Sequence, residues 1–256
     1  MPKVRFERDG DVGIVTLADP PLNLFGRELI ADLYGALDEA AGANVRALVV
    51  RAEGEVFTGG ADVNMFVGLT GEQVERELDL VAMPRKLEVM PVPTLAVVDG
   101  LCLTAGFELS LGCDLIWASE SAKFGLVEAV VGVTPFAGGT QRVAERAGPA
   151  RARELVMTGG LYDAAVLHDW GVINRVVPDA DLEEKAMRFA ARLAAGPTRA
   201  HAATKRIVRA FIEGGVPGAD GAMNEVAAEV VETEDFRNGV RSFLEAGPGN
   251  AVFAGR

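Results

Sequence analysis

Cysteine and histidine are scarce in this chain, with two of each in 256 residues. Cys102 and Cys113 are too few to staple a protein of this size. That excludes a disulfide framework and points to a reducing, cytoplasmic setting. No Cys/His spacing suits zinc, and no metal site is expected. His168 and His201 fall in separate expected helices, and no serine stands in a G-x-S-x-G setting, which argues against a nucleophile–histidine hydrolase. A G-x-G-x-x-G fingerprint and a Walker A sequence are both missing. No apolar run reaches the roughly 18 residues of a membrane helix, and Met1–Arg8 does not read as the apolar core of a secretory signal. Positive charge is short as well: 25 Lys and Arg stand against 37 Asp and Glu, a formal net charge of −12. A general nucleic-acid surface needs clustered cations and is not expected. A phosphorylated small ligand stays open, because a few cations or backbone N–H groups suffice to hold one.

What is present fits an ordinary soluble globular protein, 49% hydrophobic and 24% charged. The length suits one large domain or a core with an appendage. Val4–Arg8 alternates, Asp9-Gly10 turns and Val12–Leu17 is strand-like, which predicts an antiparallel hairpin. Leu29, Ile30, Leu33, Leu37 and Ala40 recur at helical spacing between Gly26 and Ala41. Ala47–Arg51 reads as a buried strand, Gly54–Val63 as a loop with little bulk at its centre, and Thr70–Leu87 as one amphipathic helix. Strands follow at Leu95–Val98 and Asp114–Ala118, then helices at Thr140–Ala147, Arg151–Met157 and Asp163–Asp169, and a strand at Val172–Val177. Beyond Asp181 the pattern is helical, broken at Gly196-Pro197, Gly214-Gly215 and Gly247-Pro248-Gly249. The expected organisation is α/β over residues 1–195 and helical over 196–256.

Two carboxylates, Glu108 and Glu128, stand among small and apolar residues. Carboxylates are rarely buried without partners, and a pair in an apolar pocket can divide the work of acid and base near neutral pH. Gly59-Gly60-Ala61 and Thr104-Ala105-Gly106 can each offer a free backbone N–H. If Ala105 and Gly106 open the helix that carries Glu108, those amides lie at its positive end. Two donors converging on one oxygen would form an oxyanion hole. Taken singly, each feature is also what a tight turn or a paired carboxylate looks like.

Together the segments Phe57–Val63, Gly100–Asp114, Phe124–Glu128, Gly132–Pro135 and Gly138–Arg142 resemble the crotonase family, or enoyl-CoA hydratase/isomerase superfamily, over nearly the whole chain. The resemblance implies an α/β spiral of repeated ββα units. It also implies a C-terminal helical region that assembles trimers or dimers of trimers. The implied substrate is an acyl-CoA thioester, so coenzyme A arrives as part of the substrate and no cofactor is needed. The resemblance places the oxyanion amides on Ala61 and Ala105, and CoA-lining backbone on Leu22, Gly59, Ala61 and Val63. It makes Glu108 and Glu128 the catalytic pair of a hydratase, Glu108 activating water and Glu128 protonating Cα. Ala105 departs from the usual Gly, Asn64 from a common Lys, and Phe136 stands where dienoyl-CoA isomerases carry an acid. A Δ3,Δ2-enoyl-CoA isomerase, needing chiefly one carboxylate, is the nearest alternative. An idle acyl-CoA-binding scaffold is the alternative outside enzymes. Met65, Phe66, Leu69 and Met83 are candidates for the acyl end of the pocket. Asp62 and Asp114 read as structural, Trp117 as core, and Lys205 and Arg206 as a solvated face.

Overall fold

The computed structural model describes residues 1–77 and 79–256. β1 (Val4–Asp9) and β2 (Val12–Leu17) pair antiparallel across Gly10, and α1 (Arg27–Gly42) buries Leu29, Leu33, Ala36, Leu37 and Ala40 as one stripe. The chain then repeats one unit. A strand joins a first sheet, a short strand joins a second, and helical structure follows. β3 (Ala47–Ala52) and β4 (Val56–Thr58) precede α2 (Gly71–Glu77) and α3 (Ala82–Glu88). β5 (Thr94–Val98) and β6 (Leu101–Leu103) precede α4 (Thr104–Leu111). β7 (Leu115–Ser119) and β8 (Lys123–Gly125) precede α5 (Gly139–Ala147) and α6 (Pro149–Thr158). β9 (Tyr162–Asp163), α7 (Ala164–Asp169) and β10 (Arg175–Val177) complete the sheets, in the orders β1-β2-β3-β5-β7-β10 and β4-β6-β8-β9. This is the α/β spiral of ββα units that the sequence led us to expect.

The spiral matters because it brings distant residues to one edge. β4, β6 and β8 run parallel with Thr58 beside Cys102 and Leu103 beside Gly125. Their carboxyl ends therefore lie side by side, the end of parallel strands where ligands of α/β sheets bind. From them leave Gly59-Gly60-Ala61, the helix of Glu108, and Leu126-Val127-Glu128.

Both faces of the first sheet are buried. Val15, Leu17, Leu48, Val50, Ala96 and Val98 face the main core. Val12, Ile14, Val49, Leu95 and Trp117 pack on Ala186, Ala190 and Ala194 of α8 (Leu182–Ala194). Two-sided burial is why β3 and β5 read as unbroken apolar runs rather than alternating ones. The turn between β5 and β6 depends on Gly100, whose φ is +66° and where a Cβ would stand 2.1 Å from the Glu55 carbonyl oxygen. Gly100→Ala is expected to cost about 1–3 kcal/mol and to lower Tm by about 2–4 °C for each. Thermal unfolding checks this, and an unchanged Tm would mean the turn yields freely.

The C-terminal helices are α9 (Thr198–Val231), interrupted by non-helical backbone at Gly215, and α10 (Glu234–Ala246). Arg46 holds this end to the sheets, donating to Thr198 Oγ1 and to the carbonyls of Gly196 and Phe253. Asp235 pins the final residues by accepting from the amides of Ala254 and Gly255 at 2.6 and 2.8 Å.

The structure revises several local expectations. Thr70–Leu87 is not one helix. α2 and α3 are separate, and the intervening Leu78 lies outside the described residues. Restarting at Ala82 puts Pro84 in a first turn, where its missing N–H costs nothing; inside a continuous helix it would break one. The loop Gly54–Val63 contains β4, and the expected strand Val172–Val177 pairs only from Arg175. There the Asn174 side chain accepts from the Ile116 amide instead. A further helix break falls at Glu232-Thr233, where Thr233 caps α10 by accepting from the Phe236 amide. Lys205 is not solvated. It pairs with Asp114 at 2.8 Å and donates to the carbonyls of Leu87 and Val92.

Candidate active site

The loop after β4 is fixed from beneath. Gly59 N–H donates to the Leu22 carbonyl at 2.7 Å, Phe25 N–H to the Gly60 carbonyl at 2.9 Å, and Asp62 N–H to the Phe25 carbonyl. Leu22 and Gly59 therefore adjoin. Between them and β4 sits Asn23, fully buried, with its amide group donating to the carbonyls of Glu53 and Val56. This anchor is invisible in the sequence, because one Asn after two prolines reads as an ordinary turn. Asp62 caps the 3-10 turn Val63–Phe66 by accepting from the Asn64 amide. Val63 is 56% exposed, and the Asn64 side chain folds onto Asp62 Oδ1 at 2.7 Å.

The two glycine-rich segments press directly on each other. A Cβ on Gly106 would stand 1.9 Å from Thr58 Cγ2, and one on Gly60 would stand 2.2 Å from Thr104 Oγ1. Only hydrogens fit at either place. Ala105 lies in the first turn of α4, where an amide has no partner within the helix. Ala61 differs from expectation. Its N–H is not free but donates to Thr104 Oγ1 at 2.9 Å. In the sequence Thr104 reads as no more than a turn residue.

Glu108 projects from the second turn of α4 and is 3% exposed. Its Oε1 accepts the Gly139 amide at 2.8 Å. That contact requires glycine, since a Cβ there would meet Glu108 Cγ and Leu126 Cδ1 at 2.9 Å. Burial pushes the Glu108 carboxyl up to about 7; the Gly139 N–H opposes the rise, and the nearby Glu128 charge adds to it. Glu128 opens the 3-10 turn after β8, and burial lifts its carboxyl to about 7 as well. Its Oε2 is buried and has no hydrogen-bond partner among the described residues. The structure thus brings together two neutral-range carboxyls and two loops carrying the candidate donors.

A model of the family described as enoyl-CoA hydratase/isomerase matches residues 7–253. The chain belongs to this family. A protein named "Probable enoyl-CoA hydratase" from Bacillus subtilis is 30% identical over 247 residues, 93% of each chain. One of the same name from Rhodobacter capsulatus is 32% identical over 256 residues, 99% of this chain and 98% of that one. Among solved structures, an enoyl-CoA hydratase subunit I from Geobacillus kaustophilus superposes with a TM-score of 0.93 at 34% identity, over 99% of this chain and 98% of the other. An enoyl-CoA hydratase from Bacillus anthracis does so with 0.90 at 29% identity, over 99% and 100%.

Within this crotonase frame several other residues find their places. Phe136 meets Phe66, a candidate for the acyl end, edge to face with ring centroids 6.3 Å apart. Met65 and Leu69 are half-buried nearby in sequence, whereas Met83 is buried in the main core. Arg142 bonds Glu88 at 2.6 Å and the Gly138 carbonyl at 3.1 Å, fixing the turn whose next amide reaches Glu108. Among the described residues, no group of three His, Cys, Asp or Glu side chains comes together as a metal site, and no helix is long and apolar enough to cross a membrane.

Proposed function

We propose that this family member is an enoyl-CoA hydratase, adding water across the 2,3 double bond of a 2-enoyl-CoA thioester. The observation that carries the reading is the unequal setting of two similar carboxyls. The Gly139 amide on Glu108 favours its ionised form, while the unpartnered Oε2 of Glu128 favours the neutral acid. Glu108 then takes a proton from water as the water oxygen bonds to Cβ. The π electrons move toward the thioester as an enolate, and Glu128 delivers its proton to Cα. Charge developing on the thioester oxygen is assigned to the Ala105 amide and to Ala61, the latter directly or through the Thr104 hydroxyl to which its amide donates. Leu22, Gly59, Ala61 and Val63 serve the CoA portion, Leu22 and Val63 being exposed and Gly59 and Ala61 half-buried. The reaction is redox-neutral and calls for no cofactor.

The direct test is loss of the enoyl-thioester ultraviolet band with crotonyl-CoA and longer 2-enoyl-CoAs, with the 3-hydroxyacyl product confirmed by mass. Hydration is the expected result. Bound thioesters left unhydrated would overturn it, and turnover of 3-enoyl-CoAs would then identify an isomerase. Residues 1–195 carry this site in our reading, and residues 196–256 build a cytoplasmic homotrimer or dimer of trimers. Phe211, Phe243 and the 79%-exposed Leu244 give α9 and α10 an apolar surface suited to that assembly. Sedimentation equilibrium should return three or six chain masses, and a monomer would refute the assembly.

A further inference from the structure

The hydrogen bond from Ala61 to Thr104 bears directly on the acyl-CoA reading. An amide has one proton to give, and that of Ala61 is directed at Thr104 Oγ1, 2.9 Å from the nitrogen. The hydroxyl that receives it belongs to a residue only 9% exposed. Among the described residues its own O–H meets no acceptor.

Holding the hydroxyl there is unfavourable for the backbone. Thr104 has φ +43°, a left-handed conformation that a β-branched residue seldom adopts. Gly60, at φ +100°, has no side chain to occupy the place where Oγ1 sits. Strain of this kind persists where surrounding structure enforces it and collects at functional sites. The residue so placed is followed directly by Ala105, whose amide has no partner within α4.

We propose that the Thr104 hydroxyl, rather than the Ala61 amide, is the second hydrogen-bond donor to the thioester oxygen, beside the Ala105 N–H. Accepting from Ala61 polarises the hydroxyl and strengthens it as a donor. Ala61 then acts through Thr104. A hydroxyl oxygen between amide and substrate also sets the carbonyl farther from Ala61 than direct contact would. This inference rests on the acyl-CoA reading above and makes Thr104 a catalytic residue within it.

The test compares wild type with Thr104→Ser, which keeps the hydroxyl, and with Thr104→Val, which keeps the branched shape without it. Thr104→Ala stands in should the valine variant not fold. Difference infrared spectroscopy of bound butyryl-CoA, labelled with carbon-13 at the carbonyl, reads donor strength without turnover. Wild type and Thr104→Ser should lower the carbonyl frequency alike, and Thr104→Val should lower it less. On 2-enoyl-CoA, Thr104→Val should lose about 10²–10³-fold in kcat with KM little changed, and Thr104→Ser should retain most of its rate. Equal carbonyl shifts in wild type and Thr104→Val, or a valine or alanine variant as fast as wild type, would overturn the proposal alone, making the hydroxyl a plug and Ala61 the donor. A serine variant as impaired as the valine one would overturn it too. Wild type that fails to bind butyryl-CoA would instead remove the acyl-CoA reading, and this one with it.

Discussion

Glu128→Gln is expected to lower kcat for hydration by about 10³–10⁴-fold, and Glu108→Gln by a similar factor, each at the upper end of what one proton-transfer group supplies. Both substitutions preserve shape. In Glu108→Gln the new side-chain oxygen can still accept the Gly139 amide, so this variant removes the base and leaves its anchor. In Glu128→Gln the carboxamide cannot hand over a proton to carbon. Binding of a saturated acyl-CoA should stay within a few-fold of wild type, because the CoA portion is assigned to backbone groups. The double variant should be scarcely slower than either single one, since residues that act as a unit are strongly non-additive. Steady-state kinetics of the three variants decides the matter. Full hydration by one single variant and none by the other would show that a lone carboxylate suffices and would overturn the two-carboxylate mechanism.

Legibility in the sequence followed the range of the interaction involved. The hairpin β1–β2 and helix α1 are written locally, in Asp9-Gly10 and in the spacing from Leu29 to Ala40. Glu108 and Glu128 stand out because charge is uncommon in apolar surroundings, and their shared setting follows from β6 and β8 being adjacent. What could not be read was contact between segments distant in the chain. Nothing near Thr104 announces that its hydroxyl meets an amide 43 positions earlier. Gly139 reads only as one residue of the segment Gly138–Arg142, although its amide sets the Glu108 carboxyl. Lys205 carries the ordinary signature of a solvated helix face, and only the packing of α9 on the core shows Asp114 waiting for it. Short strands such as β4 and β6 escaped for a related reason: three residues between turns show too little periodicity to separate strand from loop.

At pH 8, Glu108→Gln is expected to unfold at a higher temperature than wild type. Burial holds the Glu108 carboxyl at about 7 in the folded protein, against an ordinary 4.5. Between those values the folded state binds more protons than the unfolded state, so stability falls as pH rises. The stabilising share of this group is complete below about pH 4.5 and is lost through pH 7. A displacement of that size corresponds to about 3 kcal/mol at full development, or several degrees in Tm at about 2–4 °C per kcal/mol. The glutamine variant keeps the acceptor for Gly139 and never ionises, so it escapes the loss. Melting both proteins at one concentration across pH 5 to 8 should show the gap opening with pH and vanishing or reversing near pH 5; equal concentration matters if the protein assembles. A gap independent of pH would mean that burial does not raise the Glu108 carboxyl toward neutrality, and its tuning for proton transfer there would lose its physical basis. A gap that opens as described would show one cause behind both properties. The buried setting that tunes Glu108 for proton transfer near neutrality also costs the fold stability there, and removing the carboxylate trades activity for stability.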